Sequence, residues 1–242
     1  MVYQRRFYRG WVNSEDLYLT KFLEKETDLQ ILTDKPIDKN FLKEKIRMYR
    51  FDIENYINRD HRFLTALKPI EVELNAAKIV KEMATQAKKA HVGPLACVAG
   101  AVAEFLGRDL LRQGYKDVII ENGGDIFLKT TKVRAVRIYA GKSKLWDKIT
   151  LKIRPKNTPL GICASSGAIG HSLSFGCADS VVIISKNASL ADAVATATAN
   201  KVNSRADLAG ALNFARAIRG VHGVVIILGN NLTTCGEIEF LD

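Results

Sequence analysis

The stretch from Gly161 to Asn200 constrains the fold of this chain most strongly, because it combines a loop, a buried strand and a helix. The apolar run Val181–Ile184 at its centre predicts a strand covered on both faces. Small and polar residues surround that run, and those of interest are Ser165, Ser166, Gly167, His171, Asp192 and Thr196. Conformationally permissive residues, one histidine and two hard oxygen ligands predict a ligand site that contains a metal.

The helix predicted to begin at Ser189 carries two side chains with oxygen atoms, Asp192 and Thr196. With Ser189 as the N-cap and Asp192 at N3, a variant capping box would explain Asp192 without any function. Thr196 could likewise bond back to the carbonyl of residue 192. The spacing of four nevertheless places both oxygens on one helix face, where they suit Mg²⁺ with phosphate and water completing its shell. The sequence leaves the cap and the metal site open as alternatives.

The loop before this helix offers groups that a nucleotide could contact. Backbone N–H groups of Ser165, Ser166 and Gly167 could hold phosphate. His171 is predicted either as an ordinary loop histidine or as a nucleotide contact or proton-transfer residue. The chain has no GxxxxGK[ST], no GxGxxG after a strand and no GxSxG. The sequence therefore gives no support to a P-loop, a Rossmann nucleotide fold or a nucleophilic triad.

Composition indicates a globular chain with a basic surface. Its 242 residues, 47% hydrophobic and 26% charged, would fill one large domain or two small ones. The net charge of +10 attracts anions such as nucleotides, phosphates or nucleic acid without selecting among them. No signal peptide or membrane-spanning stretch is visible, so a cytoplasmic location without membrane contact is expected. With no CxxC pair, we expect buried free thiols at Cys97, Cys163, Cys177 and Cys235.

The N-terminal part is predicted to form a hairpin followed by helices. Partial alternation over 16–25 and 28–32 indicates two paired strands. The basic and aromatic residues before them indicate an edge strand with snorkelling arginines or a nucleic-acid contact: Arg5, Arg6, Phe7, Tyr8, Arg9 and Trp11. Pro36 starts a long amphipathic helix, and further helices are predicted over 73–89 and 95–112.

The remainder of the chain alternates short apolar runs with two helices, over 189–201 and 205–218. Strands are predicted at 118–120, 126–128, 135–139, 148–153, 160–164, 181–184, 224–228 and 237–240. The order predicts an α+β fold with a mixed or antiparallel sheet flanked by helices. The run Asn122–Asp125 is a strong hairpin signal. Gly100, inside the helix over 95–112, indicates either close helix packing or the approach of a phosphate to the helix start.

Four segments occurring in order resemble the ApbE superfamily: VGPLACVAGAVAEFLG from Val92, IIENGGDIFL from Ile119, CASSGAIGHSLSFG from Cys163 and ADAVATATAN from Ala191. The N-terminal RFYRGWVNSEDL also resembles a short, cytosolic branch of that superfamily found in archaea and anaerobic bacteria. The resemblance implies a single ApbE-like domain over 1–242. It also implies an α+β fold related to the T-fold, with a ligand cleft between its parts.

ApbE proteins are FAD:protein FMN transferases, in which Mg²⁺ sits on the FAD pyrophosphate, a protein Thr or Ser attacks the phosphorus on the FMN side, and AMP leaves. The resemblance implies that Asp192 and Thr196 hold Mg²⁺, and that Asp192 and His171 are catalytic. The resemblance implies contacts with FAD or FMN for Gly100, Asn122, Gly123, Gly124, Asp125 and His171, and the backbone N–H groups described above add Ser165, Ser166 and Gly167. The implied partners are a flavin or other nucleotide and an acceptor protein. A homodimer stays open, and nucleic acid is not expected.

Two departures from the family pattern leave the function open. The family's histidine is followed by Asp-Pro-x-x-Gly, where this chain has Ser172–Gly176, and Ala99 stands where the family has a Lys. One candidate is a Mg²⁺-dependent FMN transferase or FAD pyrophosphatase. A second is a non-catalytic ApbE-fold binding protein in anaerobic sulfur amino-acid metabolism, at homocysteine formation. A third, from the basic charge, is a nucleic-acid binder.

Overall fold

An antiparallel sheet of eight strands is the centre of the computed structural model, which describes residues 16–141, 143, 149–166 and 176–241. The strands of the chain are β1 (Tyr18–Glu24), β2 (Thr27–Thr33), β3 (Val118–Asn122), β4 (Asp125–Lys129), β5 (Arg134–Arg137), β6 (Thr150–Ile153), β7 (Leu160–Ser165), β8 (Ser180–Ser185), β9 (Val221–Leu228) and β10 (Asn231–Gly236). The large sheet has the order β1-β2-β3-β4-β7-β8-β9-β10, and β5 and β6 pair separately. The predicted α+β class is confirmed, and the sheet is antiparallel rather than mixed.

The described helices pack on one face of the large sheet. They are α1 (Lys39–Arg59), α2 (Arg62–Thr65), α3 (Lys78–Ala90), α4 (Val98–Arg112), α5 (Ala188–Ala199) and α6 (Leu208–Ala217). A larger apolar core lies between the helices and the sheet, around residues such as Phe63, Leu106 and Phe127. A smaller core on the opposite face joins the β5–β6 pair to the sheet through Leu128, Leu151 and other residues. The fold is therefore layered, with the sheet buried on both faces where these elements cover it.

Helix α5 lies in the interior, since all 12 of its residues are buried. It lies against β7 and β8 and is covered by α3 and α4. The close approach requires small residues on both sides. A Cβ atom at Gly161 would lie 2.3 Å from the Ala188 Cα, and one at Gly100 would lie 2.4 Å from the Ala188 carbonyl oxygen. The Ala-, Ser- and Thr-rich sequence of this helix is thus a packing requirement.

Most predicted elements occur where the sequence places them, with shifted ends. The helix predicted to begin at residue 73 begins at Lys78, and the one over 95–112 starts as a 3₁₀ turn, Pro94–Cys97, before α4. The prediction of a strand at 237–240 is wrong, and the last strand of the large sheet lies earlier in the chain. That strand is β10, which the sequence did not suggest, whereas Phe240 bridges to Leu151 of β6. The basic and aromatic residues 5–11 lie outside the described residues.

The four cysteines are free, but they do not share one environment. Cys97 and Cys163 are buried as expected, whereas Cys177 is exposed and Cys235 is partly exposed, so that expectation is wrong for these two.

Among the described residues no single helix is long and apolar enough to cross a membrane. One pair of consecutive helical segments, Lys78–Ala90 and Pro94–Arg112, reaches that length and composition with a bend of 100° between them.

Gly107 of α4 gives a direct test of the packing between helix and sheet. A Cβ atom there would lie 2.1 Å from Cδ1 of Phe127, whose ring is fully buried. We expect Gly107→Ala to lower the free energy of unfolding by about 1–3 kcal/mol, because the overpacking outweighs the better helix propensity of Ala. Urea denaturation followed by circular dichroism measures this change.

The matched control is Gly210→Ala in α6, where no atom lies within 4 Å of the added methyl group. It should be neutral or should stabilise the chain by up to about 1 kcal/mol. Equal effects of the two substitutions would contradict the packing described for α4.

Candidate functional site

The predicted site residues that the structure describes come together where β4, β7, α4 and α5 meet. Asp125 lies at the start of β4 and shares the helix-covered face with Phe127, two residues further on. Cys163 of β7 belongs to the same face. Helix α5 lies over this part of the sheet and carries Asp192 and Thr196.

Asp192 is held by the start of α4 rather than by its own helix end. Its Oδ2 accepts a hydrogen bond of 2.9 Å from the Gly100 N–H, and the contact is buried. The predicted capping box is wrong, because α5 begins one residue earlier than expected and Asn187 is its N-cap, accepting from the Leu190 N–H. Ser189 is fully buried inside the helix, and its Oγ has no hydrogen-bond partner. Asp192 therefore takes no part in capping α5.

Thr196 lies one turn after Asp192 on the same helix. Its Oγ1 donates a long hydrogen bond of 3.4 Å to the carbonyl oxygen of Ala96, so the predicted bond back to residue 192 is not formed. Thr196 is 5% exposed, so its hydroxyl is largely buried beside the start of α4. The carboxylate of Asp192 and this hydroxyl are the two hard oxygen groups that α5 brings to the site.

Two carboxyl groups share this buried region without a cationic partner among the described residues. Burial raises the pKa of Asp192 to about 7, although the Gly100 hydrogen bond opposes the change. Burial and the charge of Asp192 raise the pKa of Asp125 well above its usual range. The Asp125 Oδ1 has no hydrogen-bond partner. Such a pair favours a bound proton or a bound cation over two bare negative charges.

Two thiols line the same region, and both are kept protonated. Burial and the negative charges of Asp125 and Asp192 raise the pKa of Cys163 well above its usual range, and burial does the same for Cys97. The Cys163 Sγ donates to the Ala188 carbonyl oxygen at 3.3 Å. These thiols are therefore inert neighbours, since nucleophilic attack and metal binding both require thiolate.

The turn Asn122–Asp125 has the form that its sequence predicts. Gly123 and Gly124 both adopt positive φ, 69° and 104°, and they link β3 to β4 as a two-residue hairpin turn. The Asn122 side chain is buried and donates to the Ala99 carbonyl oxygen at 3.1 Å. The hairpin is thereby attached to the start of α4. A Cβ atom on Gly124 would meet nothing within 4 Å, so open space adjoins the turn.

The strand β7 ends at Ser165, whose buried Oγ has no hydrogen-bond partner. Ser166 follows and is partly buried. Gly167 and His171 lie outside the described residues, so their predicted nucleotide contacts stay predictions. Among the residues that the structure describes, the predicted site residues Gly100, Asn122, Asp125, Ser165, Asp192 and Thr196 therefore lie in one region.

A supporting group that sequence reasoning missed is Glu104 of α4. Its buried carboxylate accepts from the Ala188 N–H at 2.8 Å and from Arg108, so it stabilises the first turn of α5. Glu82 of α3 accepts from the Asn187 side chain at the same helix start. The available signal was a lone carboxylate, Glu104, within an otherwise apolar run. These contacts fix the position of α5 and with it the position of Asp192.

The described residues contain no group of three or more His, Cys, Asp or Glu side chains arranged to hold a metal. A cation here would therefore need hydroxyl, backbone carbonyl, phosphate or water oxygens in addition to carboxylate. The site offers carboxylate, hydroxyl and backbone carbonyl oxygens in a buried setting beside a helix start. This arrangement can bind a hard cation together with an anionic ligand.

Solved structures similar to this chain include ApbE proteins, some of them described as flavin transferases. The flavin transferase ApbE from Vibrio cholerae matches with a TM-score of 0.60 and 13% identity over 90% of this chain and 96% of that one. The ApbE protein from Thermotoga maritima matches with a TM-score of 0.59 and 12% identity over 91% and 97%. At such low identity the likeness establishes the fold.

Sequence relatives are closer. A UPF0280 protein of Methanococcus maripaludis is 41% identical over 218 residues, 88% of each chain. A UPF0280 protein of Methanocaldococcus jannaschii is 36% identical over 229 residues, 91% of each chain. A family model described as AbpE bacteria matches residues 9–239. The chain therefore belongs to that family, within the ApbE-like superfamily.

Proposed function

We propose that this protein is a Mg²⁺-dependent flavin transferase that cleaves FAD and passes FMN to a hydroxyl group of an acceptor protein. The observation that carries the proposal is the buried pair Asp192 and Thr196, held against the start of α4. The fold shared with flavin transferases supports the same substrate class.

The donor set fits Mg²⁺. The Asp192 carboxylate and the Thr196 hydroxyl are hard oxygen ligands, and both are buried. The two inert thiols nearby do not compete for a hard ion. Mg²⁺ in nucleotide sites commonly uses few protein ligands and completes its octahedron with phosphate and water. When bound, Mg²⁺ would neutralise charge that develops on the pyrophosphate.

The protein's own residues would orient the reacting groups. The Gly100 N–H fixes one oxygen of Asp192, and Asn122 attaches the β3–β4 turn to the Ala99 carbonyl. These contacts attach the hairpin and Asp192 to the start of α4, which would orient a ligand bound between them. Positioning of this kind, with exclusion of water, supplies a large part of the rate enhancement in phosphoryl transfer.

The proposed reaction is a substitution at the phosphorus on the FMN side of FAD. The hydroxyl oxygen of a Ser or Thr in the acceptor forms a bond to that phosphorus. The bond from the phosphorus to the bridging oxygen breaks, and AMP leaves with that oxygen. We further propose that Gly123, Gly124, Ser165, Ser166 and Gly167 contact the nucleotide and that His171 assists proton transfer.

A second candidate is flavin-nucleotide binding without transfer, with the homocysteine-related role as its metabolic setting. Ala99 favours it, because a methyl group stands where the transferases carry a Lys and cannot supply a positive charge to the phosphates. Binding of FAD at micromolar affinity with no release of AMP would select this candidate. A single domain, a cytoplasmic location and a homodimer stay predictions from the sequence.

Release of AMP from FAD tests the proposal. We expect the full chain with Mg²⁺, FAD and a Thr-containing acceptor to release AMP, and Asp192→Asn to lower the rate at least about a hundredfold, as for loss of a principal electrostatic group. Chromatographic quantification of AMP measures this rate.

Thr196→Val should lower the rate too, whereas Thr198→Val is the matched control, since the buried Thr198 hydroxyl has no partner. Equal rates for Asp192→Asn and the native chain would refute the proposal.

The buried carboxyl of Asp192 also predicts how stability depends on pH in the absence of metal. Its pKa is about 7 in the folded chain, against an unfolded value of about 3.9. Between these values the folded state binds more protons than the unfolded state, so stability falls as pH rises and levels off above pH 7. The shift of about three units corresponds to roughly 4 kcal/mol at most.

Asp192→Asn keeps the shape, can still accept from Gly100 and carries no charge. We therefore expect it to be more stable than the native chain at pH 8 in EDTA, with the difference vanishing near pH 4. Asp207→Asn is a control of opposite sign, because hydrogen bonds from Asn203 and Ser204 lower the pKa of Asp207. Removing the charge of Asp207 should lower the free energy of unfolding at pH 8. Urea denaturation at several pH values would contradict the argument if Asp192→Asn were the less stable form at pH 8.

A further inference from the structure

We propose that Asp125 supplies a second carboxylate to the cation held by Asp192 and Thr196, through its buried and unpartnered Oδ1. This inference rests on the cation site of the proposed function. It changes the role of Asp125, which the family resemblance places only beside the flavin nucleotide.

The strand register places Asp125 under helix α5. In the pairing of β4 with β7, Ile126 lies opposite Ile162 and Phe127 opposite Gly161, so Asp125 comes next to Cys163 on the helix-covered face. Gly161 lies directly against Ala188 of α5. Asp192 is one turn further along that helix. The carboxyl groups therefore approach each other from the sheet and from the helix above it.

The unpartnered oxygen is unusual for a side chain of this kind. Asp125 is 6% exposed, and hydrogen bonds from Cys163 and the Ala164 N–H reach its carboxyl group, but Oδ1 has no hydrogen-bond partner in the described structure. Buried carboxylates normally accept several hydrogen bonds or face a cation, since an unsatisfied buried charge costs several kcal/mol. No Lys, Arg or His of the described residues forms an ion pair with Asp125 or Asp192. A bound cation would supply a positively charged partner to both carboxyl groups.

Contact with the pyrophosphate alone does not account for Asp125. The pyrophosphate of FAD is an anion, and a carboxylate facing it directly would repel it. A divalent cation between them removes the repulsion and links both to one centre. With Asp125, the protein contributes two carboxylates and one hydroxyl, which leaves the remaining positions of an octahedron for phosphate and water.

Binding of Mn²⁺ to the FAD-free full chain tests the inference, because Mn²⁺ accepts the same hard ligands and its free form is quantified by electron paramagnetic resonance. We expect Asp125→Asn and Asp192→Asn each to weaken binding at pH 8 by at least about tenfold. Thr196→Val should weaken it less, because water can replace a neutral hydroxyl. Thr198→Val, on the same helix, should leave the affinity unchanged.

The variants separate the two proposals. If Asp192→Asn weakens Mn²⁺ binding and Asp125→Asn does not, this inference is overturned and the proposed function stays intact. No weakening by either would remove the cation site itself and with it the proposed function. Thermal unfolding without metal checks that each variant folds. If Asp125→Asn does not fold, Asp125→Ser takes its place, since it removes the carboxylate and leaves a small hydroxyl; unchanged Mn²⁺ affinity in that variant would equally overturn the inference.

Discussion

The hydrogen bond from the Gly100 N–H to the Asp192 carboxylate is the contact on which the arrangement of the site depends. It forms only because α4 and α5 approach so closely that no side chain fits at Gly100. The same approach is fixed from the other side of α5 by Gly161 of the sheet. Glu104 adds a second link through the Ala188 N–H. The position of the Asp192 carboxylate therefore depends directly on the close packing of α4 against α5.

Local patterns in the sequence predicted most of the fold. Hairpins such as the one closed by Gly123 and Gly124 are determined by residues near one another, and periodicity located most helices. The missed strand β10 is half exposed and contains two consecutive threonines, so it has no apolar run to reveal it. The helix cap was misplaced for a different reason. Ser189 and Asn187 are both good caps, and the sequence pattern alone does not choose between them.

The site was predictable as a set of residue types but not as an arrangement. Asp125 and Asp192 were both identified, one as a nucleotide contact and the other as a metal ligand. Their proximity depends on the register of β4 against β7 and on the packing of α5, which single-sequence patterns do not contain. The Gly100–Asp192 bond joins residues 92 positions apart. Long-range contacts of this kind determine which oxygens lack partners, and hence which groups a cation would satisfy.

The complete burial of α5 has a consequence for the motions of the molecule. A helix enclosed by the sheet, by α3 and by α4 cannot detach without exposing the larger core. Its amide protons should therefore exchange with solvent only when the whole chain unfolds, in contrast to those of the half-exposed edge strand β10. Asp192 and Thr196 are therefore carried by one of the least mobile segments. Any adjustment to a ligand must therefore come from groups outside α5.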